Sequence, residues 1–237
     1  MNEKSSAFIL GAFIFFGLSV LGYFLADAAI EFKQYDRSVT VKGLSEREYK
    51  ADIVIWPIEF TLADNNLERL YGNIDGSAAK IKDFLEKNNI QPEEITLSTP
   101  AITDKTAQQY GGGPAPQYRY SAIQTVTVYS KNIDVVRAVM SSLSELGKQG
   151  IVFSGGNYQY QTEYLFTRLN QVKPEMIEQA TRKAREVAEK FAKDSQSSLG
   201  KIKKASQGQF SINARDKNNP HIKRVRVVST VQYYLSD

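Results

Sequence analysis

The spacing of hydrophobic and polar positions predicts a strand followed by a helix early in the folded part of the chain. Over residues 52–62 the even positions from 54 onward are all apolar, and this period of two indicates one buried strand face; they are Val54, Trp56, Ile58, Phe60 and Leu62. Pro57 within this strand predicts an edge position or a bulge, because proline donates no hydrogen bond to a neighbouring strand. Over residues 66–88 apolar residues recur every three or four positions, which predicts an amphipathic helix with caps offered by residues 64–66.

The same periodicity, with glycine and proline as boundary signals, predicts the later elements. A second helix is predicted from about residue 132, with its stop at Gly147, and a long helix from Pro174 to Gly200. The long helix carries a thin ridge of four alanines at Ala180, Ala184, Ala188 and Ala192. Strands are predicted at 38–43, 94–103, 118–129, 151–167, 201–212 and 222–235. This order predicts an α+β fold, an antiparallel sheet with helices packed on it. It has a ferredoxin-like β-α-β-β-α-β start, then a long helix and two C-terminal strands.

An uncharged apolar run precedes the folded part. Residues 7–26 contain no charged side chain, and as a helix they span about 30 Å, the thickness of a bilayer core. A cleaved signal peptide is the alternative, because Ala26-Asp27-Ala28 has small-x-small spacing and Lys4 supplies a positive start. Either interpretation places the folded part outside the cytoplasm, and the retained one makes a single-pass inner-membrane protein with a periplasmic domain. The predicted parts are an anchor or signal at 1–30, a connector at 31–37 and an extracytoplasmic domain at 38–237.

Composition excludes several kinds of chemistry. The chain has no cysteine and one histidine, so disulfides, thiolate nucleophiles and zinc sites with several imidazoles are excluded. That histidine, His221, follows a proline in a polar loop, where an exposed side chain is expected. The carboxylates nearest strand ends, Glu59, Asp64 and the pair Glu93-Glu94, give no reason to pair across a cleft. We therefore expect a protein that is not an enzyme and holds no cofactor or metal.

Two surface regions are candidates for contact with partners. Residues 105–117 form a glycine- and proline-rich hairpin tip, interpreted either as a mobile loop or as an arm that contacts a neighbouring subunit. The contact residues on this arm would be Tyr110, Gly112, Pro114 and Tyr118. Arg224 and Arg226 alternate with valines, which fits a solvated strand face, and they are also candidates for contact with an anionic surface. The charge of +4 is too small to require nucleic acid, and none is predicted as a partner.

A stripe of aromatic residues has two interpretations. Tyr158, Tyr160, Tyr164 and Phe166 lie on one face of a predicted strand. Period-two aromatics are typical of a sheet core, and they are also the side chains that stack on sugars or bases. The core interpretation is favoured because a long helix must be covered.

Three blocks of sequence resemble one family. The first is Val39-Thr40-Val41-Lys42-Gly43 followed by Ala51-Asp52-Ile53-Val54-Ile55, in which Ala51 replaces the family's usual proline. The second is Asn89-Ile90-Gln91-Pro92-Glu93-Glu94-Ile95-Thr96, a turn from helix into strand. The third is the alanine- and lysine-rich helix that includes residues 179–192 and precedes Leu199-Gly200. In this order the blocks resemble the bacterial SIMPL-domain family over about 38–235.

The resemblance implies a function as well as a fold. It implies an α+β domain of the cell envelope that assembles into ring- or channel-shaped homo-oligomers, with a link to stress tolerance. It supplies no catalytic residues. We therefore expect a membrane-anchored, non-catalytic envelope protein that associates through its sheet edges and the 105–117 arm. The alternative is an extracytoplasmic module that binds an envelope polymer or an anionic lipid, a ligand that the sequence does not identify.

Overall fold

The computed structural model describes residues 3–35, 37–107, 116–154 and 161–236. In chain order its helices are α1 (Glu3–Tyr35), α2 (Leu67–Lys87), α3 (Ile133–Ser141), α4 (Ser144–Lys148) and α5 (Leu169–Asp194). Its strands are β1 (Ser38–Lys50), β2 (Ile53–Asp64), β3 (Ile95–Leu97), β4 (Ala101–Asp104), β5 (Tyr120–Ser130), β6 (Val152–Phe153), β7 (Glu163–Leu165), β8 (Ser198–Gln207), β9 (Ser211–Ala214) and β10 (Ile222–Ser236). Helices and antiparallel sheets behind an N-terminal apolar helix confirm the predicted α+β class, and the ferredoxin-like start stays a prediction.

Helix α1 contains the apolar run. Its segment Phe8–Ala29 has 22 residues and a mean hydropathy of 2.3, and none of it is buried against the rest of the protein. At about 1.5 Å per residue this segment is about 33 Å long, enough to cross a bilayer core. In the described part of the chain this is the single helix that meets the length and hydropathy of a membrane span. A signal sequence near the N-terminus has the same properties, so the choice between anchor and signal peptide stays a prediction.

The chain divides into two compact units. Unit 1 comprises Met1–Glu46, Val172–Ser211 and Arg226–Asp237, and unit 2 comprises Arg47–Gln171 and Ile212–Val225. The predicted boundaries of anchor, connector and extracytoplasmic domain are a separate matter and remain predictions.

Unit 1 is built on a sheet whose central strand is β10. The strand order is β1-β10-β8, and β9 also pairs with β10. The odd-numbered face of β10 is buried, with Val231 and Tyr233 at 1% and 2% exposure. This face packs against the alanine ridge of α5, where Ala184 and Ala188 are fully buried. The alternation of β10 and the alanine spacing of α5 both confirm the sequence prediction.

Unit 2 is built on a six-stranded sheet in the order β3-β5-β2-β6, in which β4 also pairs with β5 and β7 also pairs with β2. Its core joins the even-numbered residues of β2 to the apolar faces of α2, α3 and α4. Val54, Trp56, Ile58 and Phe60 are all buried there, at 5% exposure or less. The period of two in β2 and the apolar stripe of α2 are therefore confirmed.

Pro57 lies within a continuous pairing of β2 with β5 rather than at a bulge. The β2–β5 register runs without a shift from Val54, opposite Ser130, to Asp64, opposite Tyr120. On the other side of β2, the described pairs are Ile53–Ile55 with β7 and Phe60–Thr61 with β6. Pro57 falls between these two short pairings, where its missing N–H interrupts none of the described ladders. The predicted bulge was wrong, and the edge interpretation holds locally.

Three helices end in the same type of turn, and two of them end at a different residue from the one predicted. Residues Asn89, Gly150 and Gln196 have positive φ angles of 65°, 87° and 54°. Each precedes an N–H that reaches back five residues: Ile90 to Leu85, Ile151 to Leu146 and Ser197 to Ala192. This is the Schellman pattern of helix termination. The predicted stops at Gly147 and Gly200 were therefore wrong, because Gly147 is inside α4 and Gly200 is inside β8.

The long helix also begins earlier than predicted. Pro174 was expected in the first turn, but α5 begins at Leu169 and contains Pro174 in its interior. Proline lacks only the N–H that would bond four residues back, so a position this close to the helix start sacrifices a single backbone hydrogen bond.

Two strands predicted as continuous are each present as two short strands. The predicted strand 94–103 is β3 and β4, which both pair with β5 on either side of Ser98–Pro100. The predicted strand 151–167 is β6 and β7, which both pair with β2. Tyr158 and Tyr160 lie outside the described residues.

Candidate functional site

The first site predicted from the sequence is the hairpin between β4 and β5. Tyr110, Gly112 and Pro114 lie outside the described residues. Tyr118 is described and is 43% exposed. The contact function predicted for these four residues stays a prediction.

The base of this hairpin is held by an ion pair. The guanidinium of Arg119 donates to Oδ2 of Asp104 at 2.9 and 3.1 Å, and its Cζ lies 4.9 Å from the centre of the Tyr120 ring. The Arg119 hydrogen bonds, with a further one from the Thr106 hydroxyl, lower the pKa of Asp104 to about 2. The backbone N–H of Arg119 also donates to the Asn65 side chain at 2.8 Å. Tyr118 is therefore next to the base of the hairpin, where Arg119 is held by both Asp104 and Asn65.

The second predicted site, Arg224 and Arg226, is a solvated strand face. Both residues are exposed on β10, and Val225 between them is fully buried. The Nε of Arg226 lies 3.8 Å from a carboxylate oxygen of Glu46. The strand brings the two arginines to one face, as predicted, and a neighbouring acidic side chain offsets part of their charge.

Two of the four carboxylates singled out from the sequence, Asp64 and Glu94, have structural functions. Asp64 accepts from the side chain of Arg69 and from the backbone N–H of Asn66, and these hydrogen bonds, that of Arg69 above all, lower its pKa to about 2. Asn66 in turn caps α2 by accepting from the Arg69 N–H at 2.9 Å. Glu94 accepts from the N–H of Gln91 and caps the short 3-10 turn of the second family block.

Of the other two carboxylates, Glu93 is exposed, and Glu59 is buried at 7% exposure. It lies five residues from Asp64 in the same strand, about 17 Å away, and points to the opposite face. That distance is too long for a pair of glycosidase carboxylates. No group of three or more histidine or acidic side chains suited to a metal ion occurs among the described residues.

His221 is where the structure departs most from the sequence prediction. Its side chain was expected to be exposed, but the residue is 7% exposed and its Nδ1 atom finds no hydrogen-bond partner among the described residues. Its ring lies edge-on to Tyr164, with 6.0 Å between ring centres. Its carbonyl accepts from the N–H of Ala51 at 2.8 Å. Hydrogen bonds from Asn218 and Asn219 to Asp216 fold the polar loop tightly and bring the next residues inward.

The surroundings of His221 oppose its protonation. Burial has the largest effect and lowers the pKa of the imidazole below its usual 6.5, and the charges of Arg137, Arg215 and Lys50 lower it further. Asp134 opposes this effect in part, and it also pairs with Lys50 at 3.6 Å. The imidazole is consequently held neutral inside unit 2.

This environment predicts a loss of stability in mild acid. Because the pKa of His221 is lower in the folded state than in the unfolded chain, the unfolded chain takes up the proton first as the pH falls through about 6.5. We expect the thermal midpoint of the full chain in detergent to be constant above that pH and to fall below it. The chain has one histidine, so His221→Gln should flatten the profile between pH 7.5 and 5.5. Circular dichroism melts of the two proteins check this, and coincident profiles would refute it.

Asp52, in the first family block, ties three segments of unit 2 together. Its carboxylate accepts from the N–H of Thr167 at 2.9 Å, from the Thr167 hydroxyl at 3.2 Å and from Nε of Arg168 at 3.1 Å. Its own N–H donates to the carbonyl of Leu165 at 2.8 Å. The Arg168 guanidinium also lies over the ring of Phe166, which stacks on Tyr49 at 5.2 Å. The β1–β2 corner is thereby joined to β7 and to the segment that enters α5.

The aromatic stripe belongs to the core as far as it is described. Tyr164 and Phe166 are each 8% exposed. Burial removes both rings from any surface on which a sugar could stack, so the predicted core interpretation is confirmed for these two residues. The envelope-polymer alternative loses their support.

Gly43, also in the first block, allows the closest approach between a strand and a helix in unit 1. A Cβ atom at this position would lie 1.9 Å from the carbonyl oxygen of Ala180 and 2.4 Å from the backbone nitrogen of Ala184. Both distances are far inside van der Waals contact. β1 therefore packs directly on the alanine ridge of α5, because Gly43 has no side chain and the alanines have only a methyl group.

The remaining block residues also make packing contacts. Leu199 packs against the buried cluster under α5, and a Cβ on Gly200 would lie 3.1 Å from the carbonyl oxygen of Tyr234. Asn89 adopts the left-handed conformation that favours glycine or asparagine, and Ile90 after it is 2% exposed. Each block thus forms a specific local structure.

The comparison with known families agrees with these blocks. A family model named SIMPL, described as a protein of unknown function (DUF541), matches residues 39–232. The chain belongs to the SIMPL family. The match spans both units and confirms the resemblance inferred from the three blocks. No curated protein matches the chain closely.

The SIMPL blocks of this chain are therefore packing and turn residues rather than a cluster of reactive groups. Gly43, Leu199 and Gly200 shape unit 1, while Asp52 and Asn89 shape unit 2. Sequence reasoning missed the burial of His221 because the contacts that enclose it come from segments distant in the chain. The one local signal was the run Asp216–Asn219, whose side chains favour a tight turn.

Proposed function

We propose that this SIMPL chain is a non-catalytic protein of the cell envelope. Helix α1 holds it in the inner membrane as a single span, and the folded part works on the periplasmic side. There it self-associates into ring- or channel-like oligomers that contribute to stress tolerance. Family membership and the apolar helix α1 support the envelope location.

Retention of α1 as an anchor is supported by its length. The apolar segment of 22 residues exceeds the roughly 7–15 residues of a signal-peptide core, and the helix continues beyond it to Tyr35. Its large apolar side chains are more than half exposed, a state that water disfavours and lipid tails satisfy.

The non-catalytic part of the proposal is supported by what the reactive side chains do. Among the described residues Asp52, Asp64, Asp104 and Asp216 are engaged with arginine side chains, and the sole histidine is enclosed in unit 2. These groups hold the fold rather than converge on an open cleft.

One observation supports self-association, namely an exposed row of residues across the sheet of unit 2. Strand register places Ala101, Ile123, Thr61 and Val152 side by side on the sheet face opposite the buried even-numbered side chains of β2. Ile123 is 44% exposed and Val152 is 59% exposed. We call these four residues the open-face row. Adjacent exposed apolar side chains of this kind are typical of contact surfaces between proteins.

We expect the full chain in detergent to form oligomers that depend on this row. The double variant Ile123→Lys with Val152→Lys should reduce the oligomer to a monomer, because each contact would bury an unpaired ammonium group. Sedimentation velocity measures the mass. Leu67→Lys with Tyr71→Lys is the control, since these residues on α2 are 41% and 46% exposed and lie outside the row. A monomeric wild-type chain at high concentration would refute self-association, and an unchanged double variant would refute the assignment to this row.

A further inference from the structure

We infer that the end of the unit 1 sheet that carries β8 contacts anionic phospholipid headgroups of the membrane in which α1 is anchored. The inference rests on the proposed anchoring and identifies a different surface from Arg224 and Arg226. It is carried by the charge of β8, by the strand register and by the length of chain that joins α1 to β1.

Strand β8 is an exposed, purely basic edge. It pairs with β10 on one side in the order β1-β10-β8, and it contains Lys201, Lys203 and Lys204 with no acidic residue. No aspartate or glutamate occurs anywhere between Asp194 and Asp216. Lysines on an edge strand discourage pairing with another strand, so this edge is poorly suited to the protein–protein pairing expected from the sequence. Its charge complements an anionic surface.

The register places the start of β8, three residues before Lys201, at the end of the sheet nearest α1. Ser236 at the end of β10 lies opposite Ser198 at the start of β8, and the N–H of Leu235 donates to the carbonyl of Arg37 at 2.9 Å. Arg37 follows the last residue of α1 by only two positions. The start of β1, the end of β10 and the start of β8 therefore meet where the membrane helix joins the sheet.

Chain length keeps this end close to the bilayer. From Ala29, the end of the apolar segment, α1 continues as a helix for six residues, which is about 9 Å. Lys201 is three residues along β8 from Ser198, about 10 Å further, and Lys203 and Lys204 are about 17 and 20 Å from Ser198. The headgroup layer takes up several ångströms of the distance to Lys201, and its side chain reaches further still. For Lys201 the remaining gap is comparable to the Debye length of about 8 Å, within which anionic lipids attract lysine, and the attraction is weaker for the two lysines beyond it.

The side chains at this end suit a lipid interface. Tyr234 is 38% exposed and the Lys203 ammonium lies 5.3 Å from the centre of its ring. Ile202, between two of the lysines, is 48% exposed. Tyrosine, lysine and an exposed aliphatic residue are the combination found at headgroup level.

The test uses the full chain in nanodiscs of phosphatidylcholine with or without phosphatidylglycerol. Because the chain has no cysteine, Ile202→Cys gives a single site for a fluorescent label, and spin-labelled lipid quenches that label on contact. We expect strong quenching with phosphatidylglycerol at low salt and weak quenching with phosphatidylcholine alone or at high salt. A lysine at the surface contributes at most about fivefold, so changing all three to glutamine should lower the ratio of quenched to unquenched label by up to roughly 100-fold.

Matched variants separate the possible outcomes. Changing all three lysines to arginine should preserve quenching, as should changing Lys80, Lys82 and Lys87 on α2 to glutamine. Quenching that is insensitive to lipid charge, or that survives the glutamine changes, overturns the inference. If the glutamine changes alter oligomer mass but not quenching, β8 contacts protein and the inference is also overturned. Failure of the chain to float with liposomes after an alkaline wash refutes the anchoring itself, whereas flotation without quenching refutes only the lipid contact.

Discussion

Replacing Gly43 by alanine is expected to lower the free energy of unfolding by about 3 kcal/mol, the upper end of the usual cost of overpacking. The added methyl group would lie 1.9 Å from the Ala180 carbonyl oxygen and 2.4 Å from the Ala184 nitrogen. These are backbone atoms of α5, so no rotamer change can relieve the clash. Either β1 or the helix must move, which separates the alanine ridge from Val41, Val231 and Tyr233 beneath it.

The effect should be localised in unit 1. Hydrogen exchange on peptides that cover residues 176–192 should show faster exchange in Gly43→Ala, and circular dichroism melts give the overall loss. Ala180→Gly in the same chain should not restore stability, because it leaves the clashing carbonyl in place. Gly72→Ala is the matched control: its Cβ meets no atom within 4 Å, and alanine in an exposed helix is favoured by about 1 kcal/mol. Equal effects at both glycines would contradict the packing explanation.

The elements that sequence periodicity predicts well are those with a buried face. The alternation in β2 and β10 and the ridge of α5 required no knowledge of distant residues, because burial of one face imposes the period directly. The helix long enough to cross a membrane could be predicted equally well from the sequence. Element class and approximate position in unit 1 and unit 2 could therefore be predicted from the chain itself.

The errors came from contacts between segments far apart in the sequence. Because glycine favours helix ends, Gly147 and Gly200 are predicted as helix stops. In the structure Gln196 takes the left-handed position at the end of α5, and Gly200 lies in β8 against Tyr234. Likewise, the polar neighbours of His221 indicated exposure, whereas the imidazole is enclosed with Tyr164, more than fifty residues away. Local propensity does not contain this information.

The candidate sites show the same difference between features set by local pattern and features set by distant contacts. The exposure of Arg224 and Arg226 follows from alternation within β10 and could be predicted. That the start of β8, three residues before Lys201, lies at the same end of the sheet as Arg37 depends on the register between β8 and β10, which no local pattern specifies. Contact of Arg224 and Arg226 with an anionic surface stays a prediction, and the lysines of β8 form a separate basic surface.

Replacing Asp52 by alanine is expected to cost about 2–3 kcal/mol, the second large effect. The Asp52 side chain is 17% exposed and accepts three hydrogen bonds from Thr167 and Arg168. Hydrogen bonds to a charged group each contribute more than neutral ones, and the alanine variant loses all three of them. The cost stays below that of a fully buried ion pair because Arg168 is 49% exposed and water can solvate it.

The single tryptophan allows this loss of stability to be measured in unit 2. Trp56 is 5% exposed in the core of unit 2, so its fluorescence in a denaturant titration reports the unfolding of that core. Asp52→Asn should have an intermediate effect, because its amide oxygen still accepts from Thr167 but no longer carries the charge that pairs with Arg168. Glu86→Ala is the control: Glu86 pairs with Lys82 at 3.7 Å on the surface of α2, and such pairs contribute less than about 0.5 kcal/mol. If Asp52→Ala were no more costly than Glu86→Ala, the carboxylate of this SIMPL block would not be what joins the β1–β2 corner to β7, and its place in the block would need a different explanation.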